Sequence, residues 1–181
     1  MDVFMEYLLS RKKDSKDIII MAAIIAAGIL LSLIVVLLIL MFVNVPGVSS
    51  IGLLLIAGVW YGAVILMRRR NIEWEYILTN SYFDIDKIMA KSSRKRVLSI
   101  DFKDAALVAA VDDDSHNYEF KGNQTSKNVK IMDFTGGKNV GETYFIDIRV
   151  NGERRFVIFQ PTSKMIEAIK NFNPRNVFIK E

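Results

Sequence analysis

The sequence predicts a membrane-spanning α-helical hairpin joined to a mainly-β cytoplasmic domain that ends in one amphipathic α-helix. Three observations carry this. Two runs without a single Asp, Glu, Lys, Arg or His lie close together near the start, Ile18 to Val43 and Val48 to Met67. Basic residues flank the pair on both outer sides. Beyond Arg70 the apolar residues alternate every two positions, until a last stretch returns to helical spacing.

A helix rises ~1.5 Å per residue and the hydrocarbon core is ~30 Å thick, so ~20 apolar residues cross it. Residues 18–43 and 48–67 are therefore read as two spans, with 44–47 as the turn between them. A soluble core helix of this length would carry a polar face, and neither run has one. The first run is too long for the apolar core of a cleavable signal peptide.

Charge then orients the hairpin. Residues 1–17 hold four basic and four acidic groups, and residues 71–181 hold seventeen basic and sixteen acidic groups. Three of the four net positive charges thus rest on Arg68, Arg69 and Arg70, which makes the basic pI a topology signal more than a nucleic-acid one. Arg11, Lys12, Lys13 and Lys16 precede the first span, the Arg triplet follows the second, and the link Asn44-Val45-Pro46-Gly47 is uncharged. The positive-inside rule puts both termini in the cytoplasm and the link outside the cell membrane. On that topology the sequon Asn123-Gln124-Thr125 never meets the glycosylation machinery. No ionisable group lies inside either span, which argues against transport by this chain alone.

Ala23 and Ala27 in the first span match the depth of Gly62 and Gly58 in the second, and small residues four apart let helix backbones approach. These faces are expected to pack on each other, with a homodimer through Gly58 and Gly62 as the alternative. In the cytoplasmic segment 1–17, Phe4, Tyr7 and Leu8 share a helical face, so a short interfacial helix is expected, with a frayed terminus as the alternative.

Residues 71–181 form the cytoplasmic domain. Glu73–Thr79, Tyr82–Ile88 and Arg96–Ile100 read as strands, separated by turns at Asn80-Ser81 and Lys91-Ser92-Ser93. Ala106–Val111 reads as a strand or a short helix. Asp112–Asn128 reads as loop with a strand near Tyr118–Phe120, and Val129–Phe134 as a strand ended by Gly136-Gly137. Tyr144–Val150 and Arg155–Gln160 flank Asn151-Gly152, a strong hairpin signal. After Pro161-Thr162, the residues Met165, Ile166, Ile169 and Phe172 share one helical face, and Asn173-Pro174 stops the helix. A bent antiparallel sheet leaves an open end, and this helix face is the expected plug.

That order resembles the pleckstrin-homology-like (PH-like) fold. Tyr76-Ile77-Leu78-Thr79-Asn80 followed by Tyr82-Phe83-Asp84-Ile85 resembles the opening hairpin of membrane-tethered bacterial PH-like domains. The whole chain is similar to a family of two-pass proteins from clostridia and their relatives. The shared features are Met1-Asp2-Val3-Phe4, the run through Ser15-Lys16-Asp17, the Tyr76–Asn80 hairpin and the closing Asn173-Pro174-Arg175. The resemblance implies a fold and a membrane location, and no activity.

Chemistry-bearing patterns are few. The chain has no Cys, which removes disulfides, thiol catalysis and cysteine metal sites. His116, the single histidine, follows Asp112-Asp113-Asp114, but consecutive aspartates point apart and the calcium-loop pattern is absent, so a solvated loop is expected. Gly136-Gly137-Lys138-Asn139-Val140-Gly141 is followed by Glu142, where a phosphate loop requires lysine, so it reads as a loop between strands. Trp74 is read as core, with interface anchoring as the alternative. Lys91, Arg94, Lys95 and Arg96 form the densest basic patch, which would touch anionic lipid or a partner, or else is a solvated hairpin. No cofactor, metal, nucleic acid or small-molecule substrate is expected. The expectation is a non-enzymatic membrane protein whose hairpin tethers a PH-like domain that binds a protein partner or itself. The alternatives are an accessory subunit of a membrane transport or secretion assembly, and an anionic-lipid sensor.

Overall fold

The computed structural model describes residues 2–116, 118–123, 129–137 and 140–180. Gln124 and Thr125 of the sequon, and Lys138 and Asn139 of the glycine-rich loop, lie outside the described residues. The chain forms two compact units, residues 13–72 and residues 1–12 together with 73–181.

The first unit is a helical hairpin of α1 (Ser15–Met41) and α2 (Val48–Arg68), both long and apolar enough to cross a membrane. A capping box starts α1. The Asp14 side chain accepts from the helix's first backbone amides, and Asp17 accepts from the Asp14 amide. Gly47, at φ 87°, turns the chain into α2. Asp17 is buried and ion-paired with Arg70, which ties the start of α1 to the residues just after α2.

Helix packing departs from the expected register. Ala23, Ala27 and Gly58 are exposed, and a Cβ built on Gly58 or Gly62 meets nothing within 4 Å. The shielded residues of α1 are Met21, Ile24, Gly28, Ser32, Val35 and Ile39, recurring every three or four positions. A Cβ built on Gly28 would stand 3.8 Å from the Trp60 ring, one on Gly52 would run into Ile39, and Ala63 is buried. Matching residues by depth leaves the rotation of each helix open. The rotation is set where the largest side chain, Trp60, finds a glycine opposite it.

The second unit contains β1 (Phe4–Ser10), β2 (Ile72–Thr79), β3 (Tyr82–Met89), β4 (Ser93–Asp101), β5 (Leu107–Ala110), α3 (Tyr118–Asn123), β6 (Lys130–Asp133), β7 (Tyr144–Val150), β8 (Glu153–Phe159) and α4 (Ser163–Phe172). One sheet has the order β1-β2-β3-β4 and the other β5-β7-β8-β6. β1 with β2, β3 with β4, β5 with β7 and β7 with β8 pair antiparallel, and β6 with β8 pairs parallel.

The N-terminal segment is thus a strand, not an interfacial helix. Met5, Tyr7 and Leu9 turn toward the domain while Phe4, Glu6 and Leu8 stay exposed, the two-residue period of a strand. The decisive term is tertiary. β2 offers β1 a seven-residue ladder from Phe4↔Thr79 to Ser10↔Glu73, which satisfies backbone groups that a short isolated helix leaves exposed to fraying. The β domain is therefore not the continuous stretch 71–181. The helical hairpin is inserted between its first and second strands.

Tyr118–Asn123, expected as loop or strand, is a short helix, and Phe120 on it packs on Phe145 and Phe156. Residues 107–110 resolve as a strand, paired to β7 on one edge and bridged to Val177 on the other. The core joins an aromatic cluster of Tyr76, Phe83, Phe102 and Phe159 to the apolar face of α4. Met165, Ile166 and Ile169 on that face are buried and Phe172 is half-buried, while Lys164, Glu167 and Lys170 are exposed, as the spacing predicts. Thr162 caps the helix through the Met165 amide.

Candidate functional site

The basic patch expected at the β3–β4 hairpin divides in two. Arg94 crosses the outer face of the sheet to Glu75 at 2.8 Å, and Arg96 meets Asp84 at 3.0 Å and Asp86 at 3.1 Å. The hydrogen bond to Asp86, with Asp84 nearby, raises the pKa of the Arg96 guanidinium. Lys91 and Lys95 are exposed, and among the described residues neither has an acidic partner. Lys87, which the sequence did not single out, stands directly across the ladder from Lys95 and is likewise without one. The turn between the strands holds two non-glycine residues in left-handed backbone, Ala90 at φ 53° and Lys91 at φ 57°.

The flanking cations have distinct surroundings. Lys12, Lys13, Lys16, Arg68 and Arg69 are exposed, Arg11 is half-buried, and Arg70 is the one held by Asp17. The Lys12 amide donates to the Gly136 carbonyl at 2.7 Å. That anchors the end of β1 on the glycine segment, which serves backbone packing. A Cβ on Gly136 would stand 3.0 Å from Leu9 and 3.1 Å from the Ser10 carbonyl oxygen.

His116 is not a solvated loop residue. Its ring stacks on Phe178 at 3.8 Å and its Nδ1 lies 2.7 Å from Asp113 Oδ2. The contact with His116 lowers the Asp113 pKa, and Lys180 lowers that of Asp112. Among the described residues no group of three or more His, Cys, Asp or Glu is placed to hold a metal.

An open cleft of about 540 Å³ is lined by Tyr7, Glu142, Tyr144, Thr162, Ser163 and Lys180 among others. Two of its hydroxyls are engaged: Tyr144 donates to Glu142 at 3.1 Å, and Thr162 accepts from the Met165 amide.

The most connected polar residues were not legible as such in the sequence. Tyr76 Oη donates to the Phe134 carbonyl at 2.8 Å and accepts from the Gln160 amide at 3.2 Å. The Gln160 side chain accepts from Gly136 N and donates to the Gly137 carbonyl and Thr143 Oγ1. Asp147, buried on β7, takes a two-pronged contact from Arg154, which also lies over the Phe156 ring at 5.1 Å. One signal was available for this pair. A lone acid in the apolar run Tyr144–Val150 lies close to a cation on the far side of a tight turn. These groups join strands and loops, and none lines a reaction site.

Two four-stranded sheets and a C-terminal helix with a buried apolar face, together with two long apolar helices near the start of the chain, fit a PH-like domain protein. The chain belongs to the family described as bacterial PH-like domain (DUF6106), whose model matches residues 1–179. The match includes both the inserted helices and β1. No curated protein and no solved structure matches the chain.

Proposed function

We propose that this chain is a non-enzymatic, two-pass cell-membrane protein whose hairpin holds its PH-like domain against the inner face, where the domain docks a protein partner or a second copy. The observation that carries the reading is the insertion of α1 and α2 between two directly paired strands. A strand before the hairpin and a strand after it form one ladder, so both ends of the hairpin belong on the same side of a bilayer. The flanking cations make that side the cytoplasm. Only residues 11–14 join β1 to α1, and only residues 69–71 join α2 to β2, so both connections are short. PH-like domains are generally non-catalytic, and the single histidine is committed to Phe178 and Asp113.

Single-cysteine variants test the topology cleanly, because the chain has no cysteine of its own. Val45→Cys is expected to react with an impermeant maleimide on intact cells, and Lys95→Cys only after lysis. The reverse pattern overturns the reading. Crosslinking and affinity capture with the spans intact then test docking. A stoichiometric soluble partner or a second copy supports it, and an uncrosslinked monomer counts against it.

A second reading, an accessory subunit of a membrane assembly, is favoured by the outward position of Ala23, Ala27 and Gly58. These small residues face away from the hairpin contact, where a further helix would pack closely. Recovery of a stoichiometric multipass partner would favour it.

A further inference from the structure

Unpaired strand edges are pairing surfaces, and this domain guards them unequally. The outer edge of β5 is taken by the chain's own end. The Val108 amide donates to the Asn176 carbonyl at 2.8 Å, and the Phe178 amide donates to the Val108 carbonyl at 2.9 Å. β6 is only four residues long. The first half of β4 carries Arg94, Lys95 and Arg96 and is broken by the register shift opposite Ile85 and Asp86. Residues 98–101, its second half, have no cation and no shift.

The alternation of ladder bonds shows where the open backbone groups point. The Phe102 amide donates to the Ser81 carbonyl at 2.8 Å, so Phe102 and, two residues back, Ile100 turn toward β3. Ser99 and Asp101 therefore turn their N–H and C=O groups to the free side of β4. The same count applies to β7. Val108 is bonded to residues 176 and 178, so Leu107 and Ala109 face Asp147 and Phe145 across the ladder, and Arg149 is next in that series. The β5 ladder covers only residues 144–147 of β7, which leaves the Arg149 N–H and C=O facing an open side. Both open stretches line one groove. Clefts of about 310 and 330 Å³ share Asp104, Ile148 and Arg149, and the first also reaches Ser99, Asp101 and Tyr82.

We propose that this groove takes an extended, basic segment of a partner protein, which adds to β7 at Arg149 in line with β5 and bonds along Ser99 and Asp101 of β4. The proposal rests on the reading that the domain docks a protein, and it names the edge used. Main-chain bonds to the two edges supply affinity, as in other strand additions. Charge selects the occupant. Asp147 is matched by Arg154. Among the described residues Asp101 and Asp104 have no cationic partner and Arg149 has no acidic one, so the groove carries a surplus of negative charge. An alternating segment that points lysine or arginine at Asp101 and Asp104 meets both acids, and an acidic segment is repelled. Each exposed ion pair shifts binding by up to about fivefold.

The test uses the full chain in mild detergent, with an alternating valine–lysine hexapeptide as the probe and a valine–glutamate hexapeptide beside it. The chain has no cysteine, so Tyr82→Cys, at an exposed position of the groove, tethers either peptide through a disulfide, and Lys164→Cys on α4 is the control site. Tethering supplies an effective concentration in the millimolar range, which compensates for weak affinity. Amide hydrogen exchange, read by nuclear magnetic resonance, is expected to slow about tenfold at Ser99, Asp101 and Arg149 with the lysine peptide on position 82, and to stay unchanged with it on position 164. The Asp101→Lys, Asp104→Lys double variant is expected to reverse the preference toward the glutamate peptide. Unchanged exchange at the three amides overturns the proposal, as does equal slowing by both peptides. Affinity capture separates this proposal from the docking reading. Arg149→Pro removes an amide that no neighbouring strand uses and is expected to lose the partner, with the double variant as the second probe should the proline alter the melt. A partner captured equally by the parent chain and both variants removes this proposal alone. A parent chain that captures neither a partner nor a second copy removes the docking reading and this proposal with it.

Discussion

Replacing Tyr76 with Phe removes one oxygen and no carbon, and it tests the polar junction between the two sheets directly. The Tyr76 ring is fully buried, and its hydroxyl serves the Phe134 carbonyl and the Gln160 amide, on residues that are themselves buried. Each backbone group orphaned away from water costs ~1–3 kcal/mol, so Tyr76→Phe should destabilise the domain by roughly 2–4 kcal/mol. Tyr144→Phe is the control. The Tyr144 hydroxyl meets the side chain of Glu142 and the backbone of Lys180, both exposed residues whose groups can turn to water, so about 1 kcal/mol or less is expected. Alkali separates the two further. Burial pushes the Tyr76 hydroxyl far above its ordinary range. Burial, aided by Glu142, pushes Tyr144 up to about 12. Above pH ~10 the unfolded chain sheds phenolic protons that the folded chain keeps. Stability is then complete below pH ~10 and falls as pH rises toward the folded pKa, by ~1.4 kcal/mol per pH unit for Tyr76. Circular-dichroism melts of the full chain in mild detergent, from neutral pH upward, read both effects. A Tyr76→Phe penalty below ~1 kcal/mol, with an unchanged alkaline decline, would refute the reasoning.

Asn173→Ala should cost ~2 kcal/mol in the same melts, because its buried side-chain amide donates to the Phe102 and Ala105 carbonyls at 2.9 and 3.0 Å. Gly52→Leu should loosen the α1–α2 contact, seen as lost disulfide crosslinking between cysteines at 28 and 60. Gly58→Leu should leave it intact, since nothing stands within 4 Å of a Cβ there. Ala90→Asn should raise the melting temperature by an amount equivalent to ~0.5–1 kcal/mol, because asparagine tolerates the φ of 53° better than alanine.

Local chemistry decided what could be read in advance. The strands from Glu73 to Ile100, the Asn151-Gly152 turn and the buried face of α4 all follow from period and turn residues, and the structure agrees with each. β1 was not legible, because Phe4, Tyr7 and Leu8 satisfy a helical face while Met5, Tyr7 and Leu9 satisfy a strand face equally well. Only the ladder offered by β2, far along the chain, separates them. The rotation of the spans was hidden for a similar reason. Outward-facing and helix-facing residues are both apolar, so periodicity carries no signal there. At the basic patch, composition revealed the charges. Which of them were already matched depended on the bulge between Ile85 and Asp86, which aligns Asp86 with Arg96.

Insertion of the helices between β1 and β2 also orders events during synthesis. β1 leaves the ribosome first, with Phe4 and Leu8 exposed and no partner yet made. Residues 11–71 follow before β2 begins, a delay of roughly 3–12 s at ~5–20 residues per second. The sheet closes only after a correctly delivered hairpin has brought Glu73 back to Ser10. On the two-pass reading proposed above, a chain with one span misrouted would strand its first and second strands on opposite sides of the bilayer. Such a chain would leave an unpaired strand edge, so completion of the β domain would act as a checkpoint on insertion.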